Sequence, residues 1–127
     1  INDLNRWTVA WIDWNLILDE QGGPNHVGNY CSAPILVDTV AKKIQYQSSF
    51  YYIGHFSRFI KRGDRIIDCQ NDTGELLALS SINQSEDIVT VIMNKHDSEI
   101  LFCYDNNLEI KPLSIPARSI ITIVDSH

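Results

Sequence analysis

Several features that would place a chain quickly are scarce here. Three cysteines among 127 residues, Cys31, Cys69 and Cys103, are too few and too widely spaced for a disulfide framework or a zinc site, and they read as free thiols. The four histidines, His26, His55, His96 and His127, show no HxH or HxxxH pairing, so neither a metal nor a cofactor is expected. Basic residues are outnumbered, ten Lys and Arg against sixteen Asp and Glu, and the net charge of −6 leaves no stripe to neutralise phosphates. Nucleic acid is therefore not an expected partner, and no polybasic patch would hold the chain on an anionic membrane. The apolar runs are all short, so no transmembrane segment is expected. Two glycosylation sequons, at Asn71 and Asn83, are about what chance supplies and do not fix a compartment.

What remains is an ordinary globular composition, 44% hydrophobic and 20% charged, long enough for one domain with a real core and too short for two full ones. The sequence changes character near residue 64. Ile1–Arg6 reads as the last turns of a helix. Residues 7–14, WTVAWIDW, are apolar and β-favouring with one charge, Asp13, which fits a strand covered on both faces as in a parallel sheet or barrel. Residues 15–30 read as a long loop around the breaker cluster Gly22-Gly23-Pro24-Asn25, and 33–39 as a short extended piece. Ser48–Ile60 is the predicted helix. Phe50, Ile53, Phe56 and Ile60 line one face, Ser48 or Ser49 can cap it, and Lys61-Arg62-Gly63 supplies a basic last turn and a stop. From Arg65 onward six strands are predicted, at 65–70, 75–82, 87–94, 99–104, 107–113 and 118–124, with Asp/Asn-rich turns between them. Their spacing indicates a small antiparallel sandwich.

The stretch that carries chemistry is residues 11–31, WIDWNLILDEQGGPNHVGNYC. It joins Trp11, Asp13, Trp14 and Asn15 at a strand end to a second polar and aromatic cluster, Asn25, His26, Asn29 and Tyr30. A strand ending in aromatic and amide residues before a long loop is how barrel enzymes build a sugar site at the C-terminal face. An indole suits the C–H face of a pyranose, and amide side chains both donate to and accept from its hydroxyls.

The pattern WxDWNLxLxxxGGPN, followed by an Asn–aromatic pair, APIxVD and YxxGHFSxFI, resembles glycoside hydrolase family 30, within it the glucosylceramidase (acid β-glucosidase) branch. The resemblance covers residues 1–66 in register. It implies that the chain is a C-terminal fragment: the last strand and helix of a (β/α)8 TIM barrel in residues 1–63, then a C-terminal antiparallel β-sandwich in 64–127, mainly β overall. Residues 7–14 would be the eighth barrel strand and 48–61 the eighth helix. Trp14 and Asn29 match positions lining the glucose subsite, while Trp11, Asp13, Asn15, His26 and Tyr30 look like supports for the site loop. The implied substrate is a glycoside or glycolipid such as glucosylceramide. His26, Gly28 and Tyr30-Cys31 look more like the bacterial members, implying a cytoplasmic or secreted protein there and a lysosomal one if animal.

The family mechanism is retaining hydrolysis by two carboxylates roughly 5 Å apart. The resemblance places both Glu residues on barrel strands outside these 127 residues, and Glu20, 75, 86, 99 and 109 match neither. Glu20, the tempting one, is read as a solvated loop carboxylate, because one Glu cannot run a two-carboxylate mechanism. Trp7 and Trp11 are expected to fill core, Asp13 to be a hydrogen-bonded anchor, and His55 to be structural. The isolated chain is thus expected to be inactive, to need the missing N-terminal barrel, and to be poorly packed or self-associated over residues 1–45. Two other readings stay open: a non-catalytic sandwich that binds carbohydrate or protein, and another family 30 activity such as a β-xylosidase or β-glucanase.

Overall fold

The computed structural model describes residues 1–28, 30–72 and 74–126. The chain divides into two compact units, residues 10–54 in one and residues 1–9 with 55–127 in the other. They are taken in turn.

In the unit formed by 10–54, the predicted strand at 7–14 does not form; no residue of that run is in a ladder. A barrel strand draws its backbone hydrogen bonds from a neighbour on each side, and among the described residues this segment pairs with none. The ladder begins later. Three short strands, β1 (Ile17–Asp19), β2 (Ile35–Asp38) and β3 (Lys43–Tyr46), form a sheet in which β1 runs parallel to β2 and β3 returns antiparallel. Ile35 N–H donates to Leu16 O at 3.1 Å and Gln47 N–H to Pro34 O at 2.9 Å, extending both pairings by a residue. The β2–β3 turn is held by Asp38, whose carboxylate accepts from the amides of Val40 (3.1 Å) and Ala41 (2.6 Å). Leu18 and Ala33 are its buried apolar side chains among the described residues.

Helix α1 (Ser48–Ser57) begins where predicted and stops three residues short of Ile60. Past Ser57 the chain tightens into a turn, with Phe59 and Ile60 amides both donating to Phe56 O. Lys61 then secures the end: its ammonium donates to Ser57 O at 3.2 Å and its amide to Asp64 Oδ2 at 2.7 Å. Gly63, at φ 98°, makes the left-handed exit. The aromatic stripe expected to be core is only half-buried at best, and no helix residue is fully buried.

The other unit holds the sandwich. All six predicted strands form: β4 (Arg65–Ile67), β5 (Leu76–Ile82), β6 (Ile88–Asn94), β7 (Ile100–Asp105), β8 (Ile110–Ile115) and β9 (Ser119–Asp125). One sheet has the order β4-β5-β6-β9, entirely antiparallel, and β7 and β8 pair as a second, two-stranded sheet. Because β9 returns to pair with β6, the β7–β8 hairpin is lifted into a separate layer. The period of two along β7 sends Ile100, Phe102 and Tyr104 inward and Leu101 and Cys103 outward. The inward set meets Leu76, Ala78, Ile92, Ile115, Leu113, Ile121 and Ile123 to form the core. Leu79 and Val91, paired across β5 and β6, are fully buried on the other face of that sheet. Truncating Leu79 to Ala should cost about 2–5 kcal/mol.

Residues 1–9 belong to this unit. Leu4–Arg6 makes a single 3-10 turn in place of the expected α-helical turns, ended by Trp7 in the left-handed region at φ 69°. Asn5 Nδ2 donates at 2.9 Å to Ala78 O, a carbonyl on β5 beyond the last residue paired with β4. His55 Nδ1 lies 2.7 Å from Thr122 Oγ1 on β9, and burial holds its pKa below the usual histidine value, in keeping with a structural role.

Candidate functional site

The candidate residues lie at the approach to β1 and in the loop between β1 and β2. Trp11 (58% exposed) and Trp14 (69% exposed) sit in the irregular approach, as does Asp13. The expectation that Trp7 and Trp11 fill core is corrected: Trp7 is 94% exposed, because the ladder that would have buried one face of this run is absent. Asp13 does anchor backbone, though only locally, its Oδ1 accepting the Trp14 amide at 2.9 Å. Asn15 follows with φ 23°, a left-handed kink that turns the chain from the exposed approach into β1.

The loop itself is built by backbone satisfaction. Asp19, the last residue of β1, accepts at Oδ1 from the amides of Gln21 (2.9 Å) and Gly23 (2.7 Å). Its own amide donates to Gly23 O at 2.7 Å, and its carbonyl accepts from Gly22 at 3.1 Å. Gly22 must be glycine twice over. Its φ is 75°, and a Cβ there would lie 2.7 Å from the Cys31 nitrogen and 2.8 Å from the Cys31 oxygen. The outgoing turn is thus pressed directly against the returning strand of the loop. The Gly23–Pro24 bond is cis. Beyond it, Asn25 closes a second turn: Nδ2 donates to Gly22 O at 3.3 Å and Oδ1 accepts from Gly28 at 2.9 Å. This displays His26 and Tyr30 on the surface, Tyr30 at 75% exposure. Asn29 lies outside the described residues.

Among the described residues, no hydrogen bond or ring contact joins the side chains of Trp11, Trp14, His26 and Tyr30 to one another. The aromatic pairs in this unit are instead Tyr46–Phe50, centroids 4.7 Å apart, and Phe50–Tyr51, edge-on at 5.4 Å. Sequence reasoning read Gly22-Gly23-Pro24-Asn25 as the breaker cluster of this loop but passed over Asp19, which fastens it. An Asp placed before Gly-Gly, with the second Gly four residues on, was the available signal.

Glu20 is exposed, as expected of a solvated loop carboxylate, and it is also engaged: Thr39, just past the end of β2, donates to both its oxygens, the amide to Oε2 and the hydroxyl to Oε1, each at 2.8 Å. The backbone hydrogen bond from Thr39, and then its hydroxyl, hold the carboxyl below its usual range, so it stays ionised and acts as a strap. Among the described residues no group of three or more His, Cys, Asp or Glu is placed to hold a metal ion, and no helix is long and apolar enough to cross a membrane.

Comparison with known proteins accounts for both parts of the chain. Residues 1–60 match the model of the glycosyl hydrolase family 30 TIM-barrel domain, and 65–123 that of the glycosyl hydrolase family 30 beta sandwich domain. A Caenorhabditis elegans relative named as a glucosylceramidase is 36% identical across 98% of this chain, and the lysosomal acid glucosylceramidase of Mus musculus is 32% identical across 96%. The chain spans about a quarter, 24%, of the length of each. Among solved structures, SrfJ from Salmonella typhimurium is similar with a TM-score of 0.84 at 30% identity, over 91% of this chain and 26% of that one. The endo-beta1,6-glucanase BT3312 shares the fold with a TM-score of 0.89 at 22% identity, over 99% of this chain and 29% of its own.

Proposed function

The chain belongs to glycosyl hydrolase family 30, and from that membership we propose that it is the barrel-closing and sandwich portion of a retaining β-glucosidase acting on glucosylceramide or a related β-glucoside. In this reading residues 1–63 contribute strand, site loop and helix to the catalytic barrel, and 64–127 form the appended sandwich. The pair of catalytic carboxylates comes from barrel strands outside these residues.

The observation that carries the reading is the order of the two family matches, barrel over 1–60 and then sandwich over 65–123, in a chain about a quarter as long as its glucosylceramidase relatives. The site supports it chemically. Trp14 offers an exposed indole at the entry to β1, ready to stack on a sugar ring, and the clamped loop brings Tyr30 and Cys31 back beside Gly22. Asn29 is proposed as the hydrogen-bonding partner of the sugar. Trp11, Asp13, Asn15, His26 and Tyr30 support the two.

None of the carboxylates described here suits the reaction alone. Glu20, the glutamate nearest in sequence to the site, is occupied by Thr39. A retaining mechanism needs one carboxyl to protonate the leaving oxygen and a second, roughly 5 Å away, to attack the anomeric carbon. The test is turnover of a fluorogenic β-glucoside by the 127-residue chain alone, and by the same residues grafted over the matching segment of the mouse glucosylceramidase. The chain alone should be silent and the graft active. Trp14→Ala in the graft should lower kcat/KM about tenfold or more, equivalent to ~1.4 kcal/mol of transition-state binding. Turnover by the chain alone would overturn the reading.

A further inference from the structure

We infer that Asp19 is a positioning residue for substrate binding, acting through Gly22 on the loop residues Asn25, His26 and Tyr30; the inference rests on the proposed glycosidase reading. The argument follows the chain of contacts. The Asp19 carboxylate takes two amides, Gln21 and Gly23, on either side of Gly22, while its backbone exchanges two further bonds with Gly22 and Gly23. Four hydrogen bonds from one residue leave Gly22 with a single position. Gly23 is buried, so its amide has little water to turn to if the carboxylate is lost, whereas the Gln21 amide is exposed.

Gly22 in turn fixes the returning chain. Its α-carbon sits so close to the backbone of Tyr30 and Cys31 that a methyl group would overlap the Cys31 nitrogen and the Cys31 carbonyl oxygen. It also carries the carbonyl that Asn25 Nδ2 holds, and Asn25 closes the turn to Gly28. The displayed segment, with His26 and Tyr30, is therefore located at both its ends by Gly22. β1 itself is held to β2 by three paired residues and, one residue on, by the Glu20–Thr39 strap. Asp19 is the point where that frame meets the loop. Its effect on substrate is geometric, through the placement of the loop that binds it.

Two experiments test this. In the isolated chain, Asp19→Ala should speed amide exchange at Gln21, Gly23 and Cys31 by about tenfold or more while leaving β5, β6 and β9 unchanged. Asp19→Asn, which keeps an acceptor oxygen in place, should restore protection. In the grafted enzyme, Asp19→Ala should raise KM about tenfold with kcat within about twofold, the signature of lost ground-state and transition-state binding alike. Asp19→Asn should recover most of it, and Gly22→Ala, which displaces Cys31 by overlap, should reproduce the Asp19→Ala pattern. Unchanged KM in Asp19→Ala, or Asp19→Asn as damaging as Asp19→Ala, would overturn the inference. Trp14→Ala separates the two readings: if it has no effect on turnover, or the unmutated graft is inactive, the glycosidase reading fails, while the clamp is still judged by exchange.

Discussion

Asn94 shows how one buried amide can organise a sandwich corner. It is 1% exposed, at the end of β6, and its Nδ2 faces the carbonyls of Ser98 (2.8 Å), Pro116 (2.9 Å) and Ile115 (3.2 Å), while Oδ1 accepts the His96 amide at 2.9 Å. Two N–H groups serve three acceptors, so one bond is shared. Asn94→Ala would strand these groups and should cost about 2–3 kcal/mol, seen as a lower urea midpoint at unchanged m value. Tyr104 carries the second residue-scale network. Its hydroxyl donates to Asp125 Oδ2 at 2.5 Å and meets Thr90 Oγ1 at 3.2 Å, and Thr90 meets Ser80 at 2.9 Å. Burial first, and the bond to Asp125 second, push the phenol up to about 12. Burial works against the Asp125 carboxylate, but the bonds from Tyr104 and Asn106 and the charge of Lys111 outweigh it, and its pKa falls below the usual value. The signs are opposite in origin and alike in effect. The folded state keeps the phenol proton longer than the unfolded chain does, so stability declines as pH rises from about 10 toward 12. It releases the Asp125 proton sooner, so that contribution is complete above about pH 4 and is lost as pH falls through the lowered folded value. Denaturant midpoints against pH should show both limbs, and Tyr104→Phe should flatten the alkaline one.

At the scale of elements, the contrast between the two units makes a kinetic prediction. The run from Trp7 to Leu16 has no strand and holds Trp7, Val9, Trp11, Ile12, Trp14 and Leu16 exposed, whereas β5, β6 and β9 are paired over seven residues each. Chymotrypsin at low ratio should cut first after Trp7, Trp11 or Trp14 and leave the 65–125 strands intact, as read by mass spectrometry; cleavage beginning within β5 or β6 would contradict this. The same contrast explains what the sequence made legible. Strands β4–β9 could be read because each pairs with a strand from the same stretch of chain, so the pattern of Ile, Val and Leu and the Asn/Asp turns reports a structure that these residues can build alone. Asn83 is such a case, its Oδ1 taking the amides of Ser85 and Asp87 as an Asn-led turn predicts. The pattern WTVAWIDW states a preference for a two-sided sheet and nothing about whether neighbours are present, and in this chain it forms no strand. In the small β1-β2-β3 sheet only β2 was legible, as the extended piece at 33–39; β1 and β3, of three and four residues, leave no periodicity to detect and are fastened by the Asp19, Glu20 and Asp38 side chains. Of the site, the aromatic and amide residues could be named from their pattern. Of the carboxylates that build their loop, Asp19 had a signal in the Gly-Gly that follows it, while Glu20 had none, since its partner Thr39 lies 19 residues on.

For the molecule as a whole, two quantities oppose each other. The net charge of −6 favours separation in solution, while the exposed indoles and aliphatic side chains near β1 form apolar surface of the kind proteins bury. Charge repulsion is long-ranged and screened by salt; apolar burial is short-ranged and is not. Raising salt from about 20 mM to about 300 mM shortens the Debye length from roughly 20 Å to under 6 Å and removes the repulsion without touching the apolar gain. Self-association should therefore increase with salt as well as with protein concentration, visible as a rising weight-average mass in sedimentation equilibrium. Replacing Val9 and Ile12 together by Lys should abolish it, although the added positive charge lowers the net repulsion. That pairing separates the two causes: an assembly driven by screened charge alone would be strengthened by the double lysine variant, and one driven by apolar contact is weakened by it. A chain that stays monomeric at every salt and concentration would show that residues 7–16, exposed as they are, do not mediate association.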